Sequence, residues 1–164
     1  MAEVFDLYNR MRRPLGHTAE MGQPLGPGHY HVVASAWIAS DKGAFLMTRR
    51  TDAADEPGKW EALTGNVLTG EGSMAAVLRM ARDTLGLEAD PKKVKLHSSE
   101  RQESLRVFHD VFVIKATKKL EELTVDTAAV AEARWMMPAE LDKLAKDGQL
   151  TALMREYYDV VYPE

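Results

Sequence analysis

Apolar residues near the start of the chain form two short runs that are typical of strands. The first run is HYHVVASAWIAS, from His29, and the second is GAFLMTRR, from Gly43, with the turn signal SDKG between them. This arrangement predicts an antiparallel strand pair. Two further strands are predicted in LRVFHDVFVIKA, from Leu105, and in EARWMM, from Glu132. Alternation at the start of LRVFHDVFVIKA predicts one exposed face there, and the apolar run at its end predicts burial on both faces.

Two segments have the spacing of apolar residues that an α-helix requires. In the first, Ser73 is the expected N-cap, and apolar residues recur at helical spacing until Gly86 supplies a stop. The second, MPAELDKLAKDGQLTALMREYYDVVY, predicts a helix that pauses at Asp147-Gly148 and then resumes. Residues 1–28 predict a short strand or hairpin followed by irregular chain. Together these elements predict an α/β fold in which a mixed sheet lies between helices.

The composition predicts one domain that covers residues 1–164. With 164 residues, of which 45% are hydrophobic and 28% charged, the chain can bury one core but is short for two domains. Its net charge of -4 argues against binding to nucleic acids or anionic membranes. The absence of cysteine excludes disulfides, thiolate metal sites and a cysteine nucleophile. A charged N-terminus and the lack of a long apolar run predict a cytoplasmic protein.

The segment GNVLTGEGSMAAVLRMARDTLGL, residues 65–87, resembles the diphosphate-cleaving motif of the Nudix family. The resemblance implies the Nudix fold, hydrolysis of an organic diphosphate, and Mg²⁺ or Mn²⁺ as the cofactor. It also implies that Arg79 pairs with a carboxylate and that Glu71 lies near the helix start, where the helix dipole favours negative charge. The residues that match the family pattern are Gly65, Glu71, Arg79, Ala81, Gly86 and Leu87.

The positions that would hold the metal differ from that pattern. In the family, glutamates at i, i+3 and i+4 lie on one face of the helix, where their oxygens can converge on a divalent cation. Here these positions hold Met80, Asp83 and Thr84. A thioether is a poor ligand for a hard cation and a threonine hydroxyl is a weak one. We therefore expect Asp83 to be the main metal ligand and catalytic group, assisted by Glu71 and Arg79, with activity weak or lost.

The sequence on both sides of the motif also resembles the family. KGAFLMTRRTDAADEPGKWEALTG resembles the strand, the arginine and the Pro-Gly-x-Trp approach that precede the motif. VAEARWMMPAEL, from Val130, resembles the late strand and the helix start that close the fold. The glutamate that usually introduces this strand falls at Ala128 or Ala129. A further carboxylate is therefore absent from the expected site.

The opening DLYNRMRRPLGHTAEMGQPLGPGHYHVVASAWI resembles the branch related to isopentenyl diphosphate isomerase. That branch implies a cysteine before the motif glycine and a metal held by histidines and glutamates. Thr64 stands at the cysteine position, Asn66 at a metal histidine and Phe108 at a metal glutamate, whereas His31 and Asp110 still match. A threonine hydroxyl cannot replace a thiol in acid–base chemistry on a double bond, so isomerase activity is the least expected function.

Three residues outside the motif could complete a metal site with Asp83 and Glu71. They are Glu103, Asp110 and His31. Glu103 belongs to HSSERQES, which the alternative interpretation makes a solvated charged loop. A histidine such as His31 is more often a packing or surface residue than a ligand.

Arg49, Arg50 and Trp60 are candidates for substrate binding. Arg49 and Arg50 end a predicted strand, and a guanidinium pairs bidentately with phosphate oxygens. Ordinary surface charge explains either arginine equally well. Trp60 could stack on a substrate, although core packing is the commoner role of such a tryptophan.

Two functions therefore stay open. The first is a Nudix hydrolase that cleaves a nucleoside or other organic diphosphate around a divalent metal. The second is a protein of the same fold that binds a phosphorylated ligand or a protein partner without turnover, as Met80 and Thr84 suggest. The partner that we expect first is a small-molecule diphosphate. An apolar C-terminal segment bearing three tyrosines predicts a homodimer, although burial within the monomer would explain it as well.

Overall fold

The computed structural model describes residues 2–164. The described residues form two sheets and three α-helices. The strands are β1 (Val4–Tyr8), β2 (Pro14–Glu20), β3 (His31–Ala39), β4 (Phe45–Arg49), β5 (Trp60–Glu61), β6 (Leu63–Asn66), β7 (Val94–Gln102), β8 (Val107–Lys115) and β9 (Glu132–Met136). The helices are α1 (Ser73–Leu85), α2 (Pro138–Lys146) and α3 (Tyr157–Val161).

The main sheet is mixed, as predicted. Its strands follow the order β5-β4-β3-β8-β7, with β6 also paired to β3 and β9 to β4. β3 and β8 run parallel, with Ala34 opposite Asp110 and Ala39 opposite Lys115, while β4 and β6 pair with β3 in the antiparallel direction. The predicted strand pair from His29 and Gly43 is therefore confirmed.

Helices cover both faces of this sheet. On one face, Val77 and Leu85 of α1 pack with Ile38 of β3 in a buried cluster. On the other face, Trp37 of β3 packs with Leu141 of α2 and with Val160 of α3. Neighbouring residues of β3 thus point to opposite helical layers, because side chains alternate along a strand. The predicted α/β fold with a sheet between helices is confirmed.

The central strand β8 is more buried than its sequence predicts. Residues 107–112 are all buried, whereas Val113 is half-buried and Lys115 is exposed. The predicted exposed face at the start of this strand is therefore wrong. Partners on both edges and a layer on each face enclose this half of β8, so even its polar residues His109 and Asp110 are buried.

The start of α1 differs from the prediction, whereas its end agrees with it. Gly72, not Ser73, is the N-cap, and the Ser73 hydroxyl instead donates a hydrogen bond to Asp110. At the other end, Gly86 adopts a left-handed conformation with φ of 65°, as the predicted stop requires. A Cβ at Gly86 would lie 3.0 Å from the backbone nitrogen of Thr124, so the site also lacks room for a side chain.

The C-terminal segment is less helical than its periodicity predicts. After α2 the chain runs beside β5, where the Trp60 N–H donates to the Gln149 carbonyl at 2.8 Å and the Thr151 N–H donates to the Trp60 carbonyl at 3.0 Å. Because this pairing holds the backbone extended, only one short 3₁₀ turn and the five residues of α3 follow.

Residues 1–28 contain the predicted hairpin, formed by β1 and β2. β1 joins the main body through paired hydrogen bonds between Tyr8 and Tyr30 and through the Thr69 N–H, which donates to the Val4 carbonyl at 2.9 Å. The hairpin thus lies against the loop that precedes α1. No helix among residues 2–164 is long and apolar enough to cross a membrane.

Candidate active site

The loop before α1 is closed by an ion pair between Glu71 and Arg79. Arg79 donates to the Glu71 carboxylate at 2.7 and 3.1 Å, and to the Asn66 carbonyl at 3.0 Å. The Leu68 N–H also donates to Glu71, at 2.9 Å. Burial would raise the pKa of Glu71, but these donors outweigh it and hold the pKa below its ordinary value. The contacts of both residues are those of groups that position a loop.

Met80 of α1 lies against Gly65 of β6. Its side chain is buried, and a Cβ added to Gly65 would collide with the Met80 sulfur. The absence of a side chain at Gly65 therefore leaves room for the Met80 thioether. The first of the three positions on the predicted metal-binding face is occupied by a packing residue.

Asp83 and Thr84, the other two positions on that face, lie near the end of α1. The Asp83 side chain is 57% exposed and pairs with Arg82, its chain neighbour, at 3.0 Å. The Thr84 carbonyl accepts the Asp126 N–H at 2.8 Å, which ties the loop before β9 to the end of the helix. Asp126 itself accepts the Ala128 N–H at 3.0 Å, so its carboxylate stabilises that loop.

Asp110 is the most fully engaged carboxylate of the site. Arg12, from the turn of the N-terminal hairpin, donates to both of its oxygens at 2.7 and 2.6 Å. Ser99 of β7 donates at 2.6 Å and Ser73 of α1 completes the set. Burial alone would raise the pKa of Asp110, but the donors outweigh it and the pKa falls below its ordinary value. Four chain segments therefore meet at one buried anion.

Arg12 was not identified from the sequence. It lies 98 residues from Asp110, and its only local signal is the pair Arg12-Arg13 in a turn. Its backbone has φ of 61°, a left-handed conformation that is uncommon for arginine. The guanidinium also lies 5.5 Å from the Phe108 ring centroid.

His31 and Glu103, two further predicted metal ligands, lie in different surroundings. The His31 ring stacks on Phe5 with centroids 4.3 Å apart, and burial lowers its pKa to about 4. Glu103 accepts the Tyr30 hydroxyl at 2.5 Å and pairs with Arg101 at 2.8 Å. The segment before Glu103 belongs to β7, so its interpretation as a loop is wrong.

The structure does not bring the predicted metal ligands together. Within residues 2–164, no three histidine, aspartate or glutamate side chains are grouped closely enough to hold a metal ion jointly. The predicted set was Asp83, Glu71, Glu103, His31 and Asp110.

A second buried polar network lies on the opposite face of the sheet. The Ser35 hydroxyl is 2.7 Å from His109 Nε2 and 2.6 Å from the Thr64 hydroxyl, which donates to the Ala62 carbonyl at 2.8 Å. Burial lowers the pKa of His109 to about 4, although the charge of Asp110 opposes this. Thr64, at the position of the isomerase cysteine, is thus a member of a structural hydrogen-bond chain. No local pattern in the sequence indicates this role for His109, because its partner Ser35 lies on another strand.

The three predicted substrate-binding residues all have protein partners. Arg49 pairs with Glu132 at 3.1 Å, and Arg50 pairs with buried Glu61 at 3.2 Å. Trp60 is buried, and the Arg134 guanidinium lies 5.0 Å from its ring centroid. These residues hold β4, β5 and β9 together, and their role in substrate binding stays a prediction.

Comparison with known proteins identifies the family. The model of the NUDIX domain matches residues 29–158. The chain belongs to the Nudix family. An uncharacterized Nudix hydrolase of Listeria monocytogenes is 32% identical over 149 residues, which cover 90% of this chain and 87% of that protein. The resemblance of residues 65–87 to the Nudix box is thereby confirmed at the level of the family.

Two other similarities bear on the branch and the fold. An isopentenyl-diphosphate Delta-isomerase of Escherichia coli is 31% identical over 87 residues, which cover 52% of this Nudix chain and 48% of that enzyme. A crystal structure from Deinococcus radiodurans superposes with a TM-score of 0.79 at 19% identity, covering 98% of this chain and 99% of that one. The second similarity shows a shared fold. Membership of the family supports hydrolase chemistry on small molecules in general terms.

Proposed function

We propose that this Nudix protein binds a phosphorylated small molecule without metal-dependent hydrolysis. The observation that supports the proposal is the buried position of Met80 against Gly65. In the family pattern this position holds a glutamate that helps to bind the metal. A thioether there fills the space with a soft, uncharged group that a hard cation does not prefer.

The remaining carboxylates do not fit a divalent cation either. Mg²⁺ requires several oxygen ligands in near-octahedral geometry. Glu71 is held by Arg79, Asp110 already accepts from Arg12 and two serines, and Asp83 lies on the exposed side of the helix. We therefore derive no catalytic step through a bound metal.

The class of ligand follows from the family relation. The Nudix box is a motif for diphosphate cleavage. The isomerase that is similar to about half of this chain is named for an organic diphosphate, isopentenyl diphosphate. A phosphorylated small molecule is therefore the ligand class that the relation favours. The predictions of a cytoplasmic location and of a homodimer stand as sequence-based predictions.

A weak hydrolase is the second candidate, and Asp83 favours it. Its partner Arg82 is an exposed neighbour on the same helix, and such surface pairs contribute only about 0–1 kcal/mol. A cation could therefore displace Arg82 at small cost. Asp83 would then be the anchor of a metal at the protein surface.

The two candidates are separated by turnover. A panel of nucleoside and isoprenoid diphosphates is incubated with the wild type and with Asp83→Asn, in Mg²⁺ or Mn²⁺. Asp52→Asn, an exposed carboxylate outside α1, serves as the matched control. We expect no phosphate release above the blank, and no rise in melting temperature with millimolar metal, since only a bound ion stabilises the native state.

Cleavage by the wild type and by Asp52→Asn that disappears in Asp83→Asn would establish the hydrolase instead. Binding is measured separately in the same buffers without metal, as a rise in melting temperature with each diphosphate. A panel in which no compound raises the melting temperature would overturn the binding role.

A further inference from the structure

Most of the lysines of this acidic protein are gathered at one end of the main sheet. The chain has ten lysines, and seven of them lie in the turn between β3 and β4, around the start of β7, at the end of β8 and in the loop that follows. All seven are exposed. They are Lys42, Lys92, Lys93, Lys95, Lys115, Lys118 and Lys119.

Strand pairing explains why these distant residues converge. β8 runs parallel to β3 and ends with Lys115 opposite Ala39, just before the turn that carries Lys42. β7 runs antiparallel to β8, so its start, with Lys95 opposite Val113, reaches the same end of the sheet. Lys115 is five positions beyond Asp110, or about 16 Å further along the strand at roughly 3.3 Å per residue. This end of the sheet is therefore separate from Asp110 and the groups that bind it.

The lysines surround two adjacent cavities, which we call the lysine groove. One cavity of about 660 Å³ is lined by Lys93 and Lys115, and a second of about 440 Å³ by Lys118 and Lys119. Ser40 and Thr117, among others, line both. Cavities of this size are typical of small-molecule sites rather than of extended polymer surfaces.

The ammonium groups of the lysines around the groove are not held in ion pairs. Within residues 2–164, none of the seven lysine ammonium groups lies within 4.0 Å of a carboxylate oxygen, whereas eight of the eleven arginines form such ion pairs. The Asp90 and Glu122 carboxylates accept hydrogen bonds from the backbone N–H groups of Lys92 and Lys119, both at 3.0 Å. Asp41 is the one acidic residue that lines either of the two larger cavities. Like charges held close together repel, so an anion that lies between them is attracted.

The groove also has an apolar wall. Trp135 and Met137 line its second cavity, and the Met137 side chain is exposed. The Trp135 indole N–H donates to the Lys118 carbonyl at 3.1 Å, which fixes the ring beside the lysines. A ligand that suits both parts carries several phosphates and an apolar or aromatic group.

We propose that the lysine groove binds a small organic polyphosphate. Lysine ammonium groups bind phosphate as point charges, and the aromatic wall accommodates the organic part. The inference rests on the proposed binding function and deepens it by naming the site. The net charge of -4 and the confinement of the lysines to a concave site favour a small ligand over a nucleic acid, which requires an extended basic stripe.

The test is calorimetric titration with ATP and with inorganic tripolyphosphate at low salt. The variant is Lys93→Glu/Lys115→Glu, and the control is Lys143→Glu/Lys146→Glu on α2, which changes the net charge equally. We expect ATP to bind more tightly than tripolyphosphate, at least a tenfold loss of affinity in the groove variant, and little change in the control. Lys93→Ala/Lys115→Ala removes the same positive charges without adding negative ones, so it perturbs the fold less. This variant should also bind ATP more weakly than the wild type.

Equal losses in the groove and control variants would overturn the proposal, because they would indicate a general charge effect. Tighter binding of a 20-base-pair DNA duplex than of ATP, or no binding of either phosphate probe, would overturn it as well. If ATP binds equally to all variants, the binding function stands and the groove is not its site. Turnover that depends on Asp83 would refute the non-hydrolytic function and leave the groove in place.

Discussion

Replacement of Arg12 by methionine should destabilise the protein far more than its position in a surface turn suggests. Asp110 is 4% exposed, and Arg12 occupies both of its oxygens. Removal of one partner from a buried ion pair costs about 3–5 kcal/mol, because a charge is left without compensation. Ser73 and Ser99 still donate to Asp110, and the Arg12 side chain is 35% exposed, so we expect a loss at or just below the lower end of that range. We expect Arg12→Met to lower the free energy of unfolding by about 2–3 kcal/mol.

The loss should depend on pH. In the wild type the pKa of Asp110 is lowered by folding, so its contribution is present at neutral pH and is lost as the pH falls through the folded-state pKa. Without Arg12, burial should raise that pKa above the unfolded value, so stability should fall as the pH rises above about 4. The deficit of Arg12→Met relative to the wild type should therefore be largest at neutral pH and smaller near pH 4.

Urea unfolding followed by circular dichroism at pH 7 and at pH 4.5 measures both effects. Arg82→Met, which removes an exposed pair with Asp83, is the matched control and should cost at most about 1 kcal/mol. The double variant Arg12→Met/Asp110→Asn should recover much of the loss, because no buried charge is left. A loss in Arg12→Met no larger than in Arg82→Met, or one that is the same at both pH values, would refute the reasoning.

Three further predictions concern buried and half-buried groups on both faces of the sheet. Burial raises the pKa of Glu156 to about 7, so Glu156→Gln, which can still accept from Trp37, should be more stable than the wild type at pH 8 and lose that advantage near pH 4.5, as urea unfolding would show. Burial lowers the pKa of His109 to about 4, so the wild type should lose stability as the pH falls from about 6.5 to 4; His109→Gln should show a smaller loss over that range in thermal melts. Met80→Glu should lower the free energy of unfolding by about 3 kcal/mol or more, while Met80→Leu should cost less than about 1.5 kcal/mol. Equal stability of the two Met80 variants in urea would contradict the packing role of this residue.

The sequence predicted those parts of the fold that depend on near neighbours in the chain. The apolar runs around β3 and β4 and the stop at Gly86 were recognised because each follows from residues within a few positions. The same is true of the Nudix box, whose match at Gly65, Glu71 and Arg79 was sufficient to identify the family. Local periodicity was misleading where tertiary contacts overrode it, as in residues 149–151, which run beside Trp60 instead of continuing a helix.

The arrangement of the candidate site was decided by tertiary structure. No local pattern connects Arg12 with Asp110, because the partners lie 98 residues apart and meet only when the hairpin packs against the sheet. The sequence showed that position 80 is not acidic, and the structure added that Met80 is buried against Gly65.

The lysine groove is the clearest case of a feature that the tertiary structure decides and the sequence does not. Its lysines were visible in the sequence as scattered charge in a chain of net charge -4, which argued against binding to nucleic acids or anionic membranes. The parallel pairing of β3 with β8 and the antiparallel pairing of β7 bring them to one end of the sheet. Composition determines the total charge, whereas the order and direction of strands determine where that charge is concentrated. Electrostatic attraction depends on distance, so the concentration of charge decides whether an anion can bind.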